Sequence, residues 1–174
     1  NSYLNLAAQL TRNARSATFL VGCGTWSNHL ASMTSDERAS AAAVCDAAYT
    51  FGRNVGISFQ LVDDLLDFHA TTEAFGKPSG GADLKLGLAT APVLYAWQQY
   101  PDSNLGTLVQ RRFAQPGDVE PALALVRKSD GLSRTAALAR YHADTAQQAL
   151  LTLPPSDARA ALEKLNHQII TRAR

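Results

Sequence analysis

The chain reads as all-helical. Three observations carry that reading. Apolar residues recur at intervals of three and four, the spacing of one helix face. No stretch sustains apolar–polar alternation with β-branched enrichment, so no sheet is expected. Pro101, Pro116-Gly117, Asp130-Gly131 and Pro154-Pro155 divide the sequence into pieces of helix length. The 174 residues are 46% hydrophobic and 18% charged, with formal net charge +1. Such a chain is long enough for one domain with a real core, and its charge balance gives no reason to expect nucleic acid. It has no run of about 18 apolar residues, so no membrane span is expected.

The elements follow in order. A first helix is expected from Tyr3 to Val21, with Leu4, Ala7, Ala8, Leu10 and Ala14 on its apolar face, stopping near Gly22 and Gly24. It opens in mid-element and lacks the basic region and cleavage pattern of a signal peptide, so the chain is expected to begin inside a domain. After a polar connector, Ser35 is the expected N-cap of a long helix over Asp36–Phe68, with Asp36 and Glu37 in its first turn. Gly52 and Gly56 interrupt it at roughly 1 kcal/mol each relative to Ala, and close approach of a neighbouring helix is the expected return. Cys23 and Cys45 fit no CxxC or Cys/His metal spacing and are expected to be reduced and buried.

Further helices are expected from Thr90 to Tyr100, with Pro92 in the first turn, and from Asn104 to Phe113. Another should run over Val119–Lys128 with Asp118 as its cap. The next spans Leu132–Leu151, with Ala137, Tyr141 and Ala149 in its apolar stripe, and the last is capped by Ser156 and runs through Ile170.

The chemistry concentrates in FQLVDDLLDF, from Phe59 to Phe68. On a helix, Gln60, Asp63, Asp64 and Asp67 share one face, while Phe59, Leu61, Val62, Leu65, Leu66 and Phe68 cover most of the rest. A helix so apolar is expected to be buried. Three carboxylates on its polar stripe then need positive charge nearby, from Lys, Arg or a divalent cation such as Mg²⁺. A solvated acidic face would need neither. Ten residues past Asp67 stands Lys77, in GKPSGGADLKLGLATAP, where Gly80 and Gly81 allow tight backbone and Asp83 and Lys85 add one charge of each sign. A Lys-bearing, Gly-rich loop suits a phosphate, although a lysine seen alone is most often an exposed loop residue.

FQLVDDLLDF followed by GKPSGGADLKLGLATAPVLYA resembles the second aspartate-rich motif of the trans-type polyprenyl diphosphate synthases. The similarity continues through RRFAQPGDVEPALALVRKSDGLSRTAALARYHADTAQQAL, where it is nearest the long-chain synthases of the ubiquinone side chain. The resemblance implies an isoprenoid-synthase-type helical bundle, of which residues 1–174 form the C-terminal half. It implies stepwise addition of isopentenyl diphosphate to an allylic diphosphate with Mg²⁺ as cofactor, an oligomer, and a mitochondrial location. Carried across, Asp63, Asp64 and Asp67 would be metal ligands, with Asp63 foremost. Asp63, Asp64 and Lys77 would be catalytic. Phe59, Gln60 and Lys77, with Asp83 and Lys85 as weaker candidates, would meet the substrate.

The family's first acidic motif is absent, since Asp63–Asp64 is the one adjacent Asp pair. Asn5-Leu6 stands where the family tends to carry Lys-Thr, and Leu88 where a second lysine is often found. A non-catalytic partner subunit of a heteromeric synthase is the alternative function. A terpene cyclase of the same fold is disfavoured by the GKPSGGADLK loop.

Overall fold

A computed structural model describes residues 34–69, 71–72, 77–78 and 80–172, with backbone alone at 71–72 and 77–78. Seven helices and one minimal ladder are present among them: α1 Ser35–His69, β1 Thr71–Thr72, β2 Lys77–Pro78, α2 Ala82–Lys85, α3 Ala91–Gln99, α4 Leu105–Gln110, α5 Val119–Lys128, α6 Gly131–Leu151 and α7 Asp157–Thr171. The expected helix over Tyr3–Val21, Cys23 and the Asn5-Leu6 positions lie outside the described residues.

The long helix is present with nearly the expected bounds. Its cap is Thr34 rather than Ser35. The Glu37 amide donates to the Thr34 hydroxyl at 3.3 Å, and the Thr34 amide donates back to the Glu37 carboxylate at 2.8 Å. This reciprocal pair is a capping box, which needs its hydroxyl three residues ahead of the glutamate; Ser35 is one residue too late. A Cβ at Gly52 would meet nothing within 4 Å, so the close approach expected there is not what this glycine provides. Cys45 is exposed, not buried.

The described chain divides into two compact units. One holds α1 up to Ser58 together with Tyr141–Ile169, and Phe51, Ala146, Ala149 and Leu150 form its apolar cluster with Val55 and Leu162 packed against it. In the same unit, buried Asn54 faces His142, with Nδ1 and Oδ1 2.8 Å apart, and buried Asn166 donates to the Ala143 carbonyl at 2.9 Å.

The other unit holds Phe59–Arg140 and the chain from Ile170 onward. Phe68, at the end of α1, is buried in one cluster with Leu84, Val93, Leu105, Leu108 and Val126. One core therefore fixes α2, α3, α4 and α5 around the end of the helix that carries the acidic stripe. The expectation of no sheet is corrected by a single antiparallel ladder, two residues per strand, pairing Thr71 with Pro78 and Thr72 with Lys77.

The helix expected over Asn104–Phe113 stops at Gln110, because Arg112 and Phe113 adopt left-handed backbone at φ 56° and 53°. Asp118 stands ahead of α5, as expected, but does not cap it. Its carboxylate accepts instead from Arg111 Nε at 2.8 Å, from Arg111 Nη2, and from the Gln115 amide at 3.1 Å. On α6 the buried positions are Gly131, Thr135, Ala139, Ala143, Ala146, Ala149 and Leu150. Tyr141 is exposed, as is Ala137, so two residues of the expected stripe lie on the other face. Small residues, not the aromatic one, make the packed stripe. Ser156 caps α7 as expected, accepting from the Arg159 amide at 3.2 Å.

Candidate functional site

The candidate site is built on the last three turns of α1. Leu61, Val62, Leu65 and Phe68 turn into the interior. The helical period then places Gln60, Asp63, Asp64 and Asp67 along one stripe. The expectation of a buried helix holds for this apolar set but not for Phe59, which is 38% exposed and carries the Arg172 guanidinium 5.0 Å from its ring centroid, a cation–π distance.

The three carboxylates have different partners. Asp64 is buried; its Oδ1 accepts from Gln60 Nε2 at 2.8 Å and its Oδ2 from the Ala91 amide at 3.4 Å. Burial pushes its carboxyl above the ordinary value, aided by the negative charges of Asp63 and Asp67, while the bonds from Gln60 and Ala91 pull the other way. Asp67 accepts the Ala82 amide on Oδ1 at 2.8 Å and the Asp83 amide on Oδ2 at 3.3 Å. Asp63 is about one-third exposed, and its Oδ1 lies 3.4 Å from Arg172 Nη2. Part of the positive charge that the stripe demanded thus comes from an arginine near the end of the chain. Nothing in the sequence around Arg172 marks it, because its relation to Asp63 is purely tertiary.

The Gly-rich segment runs directly against the stripe. The Gly81 amide donates to the Asp67 carbonyl at 3.2 Å. Gly80 is buried so tightly that a Cβ there would fall 2.6 Å from the Asp67 carbonyl oxygen, and only glycine fits. Gly81 follows with φ 91°, left-handed backbone that favours glycine. Asp83 is thereby brought beside the stripe. Partial burial raises its carboxyl above the ordinary value, and the charges of Asp67, Asp64 and Asp63 add to the rise. Lys85 is exposed at the end of α2. Lys77 lies in β2 opposite Thr72, and its side chain is outside what is described. The structure therefore brings Gln60, Asp63, Asp64, Asp67 and Asp83 into one neighbourhood, while Lys85 points to solvent.

This donor set is oxygen-only and anionic, which suits a hard divalent cation such as Mg²⁺ better than zinc. Among the described residues, no three carboxylate, imidazole or thiol groups converge into a preformed metal cage. Mg²⁺ does not require one, since it commonly takes one or two carboxylates and fills its shell with water and substrate phosphate oxygens. Arg111 of the Arg111-Arg112 pair is committed to Asp118.

Comparison with known proteins finds relatives of one family. The model of the polyprenyl synthetase family matches residues 24–126. Mitochondrial hexaprenyl pyrophosphate synthase of Saccharomyces cerevisiae is 46% identical over 172 residues, which is 98% of this chain and 32% of the yeast protein. The apo form of a medium/long-chain prenyl pyrophosphate synthase of Arabidopsis superposes with a TM-score of 0.64 at 38% identity, over 75% of this chain and 45% of that one. A polyprenyl synthase of Caulobacter crescentus, complexed with calcium and isoprenyl diphosphate, superposes at 0.62 with 34% identity, over 76% and 41%. The chain spans about a third of the length of the curated relatives it matches.

Proposed function

The chain belongs to the polyprenyl synthetase family, and from that membership we propose that it is part of a trans-prenyltransferase that joins isopentenyl diphosphate to an allylic diphosphate, building a long-chain polyprenyl diphosphate for ubiquinone. The observation that carries the proposal is the oxygen-rich stripe of α1 with the Gly80–Asp83 backbone held against it. An intact stripe of this kind supports catalysis over the role of a silent partner subunit.

In this reading Asp63 and Asp64 hold Mg²⁺. Bound there, the ion would act as a Lewis acid that orients the allylic diphosphate and stabilises the leaving pyrophosphate. Asp63 is the more open of the two and is balanced by Arg172, which must yield to the stronger cation. Gln60 steadies Asp64 through its 2.8 Å hydrogen bond, and in this reading it also meets the allylic substrate. Lys77 neutralises diphosphate charge. The buried apolar face formed by Leu61, Val62 and Leu65 keeps water from behind the stripe. Asp83 belongs to the loop held beside the stripe, and Lys85, exposed at the end of α2, stands apart from the reacting atoms. The mitochondrial name of the yeast relative supports a mitochondrial location.

The test is calorimetric titration of the chain with a non-hydrolysable allylic diphosphate analogue, with and without Mg²⁺. Binding should require Mg²⁺ and disappear in Asp63→Ala. Equal binding by both proteins, or binding indifferent to Mg²⁺, would overturn the assignment.

A further inference from the structure

Two helices that follow α1 begin without caps of their own. The N-cap position of α2 is Gly81, which has no side chain to offer. That of α3 is Thr90, whose hydroxyl makes no capping bond and is buried without a partner. Helix starts leave amides unsatisfied, and a side-chain oxygen usually answers them. Here the answer comes from α1. Asp67 takes the first two amides of α2, at 2.8 and 3.3 Å, and Asp64 takes the first amide of α3 at 3.4 Å. The backbone agrees, with Gly81 donating to the Asp67 carbonyl and Gly80 pressed on the same carbonyl.

We infer that Asp67 is a positioning residue rather than a metal ligand: it clasps the Gly80–Asp83 segment to α1 with both carboxylate oxygens. This replaces the expectation from sequence that all three aspartates coordinate the cation. The stripe then has a division of labour. Asp67 is spent on the loop, Asp64 is shared between Gln60 and the start of α3, and Asp63 is partly exposed, with the exposed Arg172 guanidinium against it among the described residues. The loop is consequently ordered before any cation arrives. The catalytic consequence of the clasp rests on the function proposed above; the clasp itself does not.

Two measurements on this chain decide the point. In amide hydrogen exchange without divalent cation, Asp67→Ala should speed exchange at Ala82 and Asp83 about tenfold, the scale of losing a cap. The near-isosteric Asp67→Asn should show a smaller rise, because its remaining carbonyl still serves Ala82. Asp63→Ala should leave both amides at wild-type rates. In titration with Mn²⁺ as the probe ion, with inorganic pyrophosphate present to complete its shell, Asp67→Asn should stay within about threefold of wild type, whereas Asp63→Ala should lose about tenfold or more. Unchanged exchange in Asp67→Ala would overturn the clasp. A Mn²⁺ loss in Asp67→Asn as deep as in Asp63→Ala would make Asp67 a ligand and overturn the assignment. Absence of Mn²⁺ binding in the wild type would sink the proposed function, while the exchange data would still decide the clasp.

Discussion

Two Arg–Asp pairs in the same unit show how differently one kind of contact can be used. Asp118 is buried, takes two guanidinium nitrogens of Arg111 and adds the Gln115 amide. The hydrogen bonds from Arg111 hold its carboxyl below the usual carboxylate range, Gln115 assisting and burial opposing. Asp63 has a single 3.4 Å contact with Arg172, and both side chains are substantially exposed. The first pair locks the left-handed turn at Arg112 and Phe113, which lies between its two members. The second holds charge in reserve. Asp118, held by a guanidinium fork and an amide, serves the scaffold, whereas Asp63, loosely balanced, is free to take another cation.

The sharpest way to break this contrast is to remove each aspartate in turn. Asp63→Ala should lower prenyl transfer by the assembled enzyme about a hundredfold or more, on the scale of losing a group that stabilises the transition state, while the melting temperature stays near wild type. A large drop in melting temperature would show that Asp63 belongs to the scaffold as well.

Asp118→Asn should do the opposite, lowering the melting temperature by several degrees with Mn²⁺ affinity unchanged. It also has a pH signature. Because the folded-state pKa of Asp118 is depressed, its contribution to stability is present above the ordinary value of 3.8 and is lost as pH falls through the lower folded value. Urea midpoints of wild type and Asp118→Asn should therefore differ at pH 6 and converge toward pH 2. A constant gap across that range would remove the titrating carboxylate from the explanation.

The smallest effect belongs to Arg172→Gln. An exposed pair of this geometry is worth about 0–1 kcal/mol, so unfolding should barely change. Mn²⁺ affinity should rise slightly, and the rise should fade with added salt. Weaker Mn²⁺ binding in this variant would mean that Arg172 supports the cation site instead of standing in for the cation.

Much of this was legible in the sequence wherever the cause is local. The long helix, the stripe of Gln60 and three aspartates, the Ser156 cap and the span of α5 all follow from periodicity and short-range chemistry. Family resemblance added what periodicity cannot supply, a reaction. The misses have a common origin. Tyr141 satisfied a helical spacing but lost to a stripe of alanines, because which face packs is decided by neighbours distant in sequence. Asp118 has the residue type and position of a cap, yet Arg111 outcompetes the helix amides for its oxygens. Arg172 gave no signal at all, since nothing local ties the tail of the chain to Asp63. The charge of Asp67 speaks for a cation; its role as an acceptor for amides of a later segment appears only once the chain has folded back.

The contact at Gly80 has a consequence for how this region can change. Its seat against α1 is made by main-chain atoms, with no room for even a methyl group. The registration of the loop is therefore indifferent to the identity of most side chains that the loop displays. Variation can accumulate at exposed positions such as Lys85 and Leu86 without moving the segment. Position 80 itself tolerates none. An engineer recasting ligand preference here has a fixed bench with interchangeable tools, provided the glycine stays.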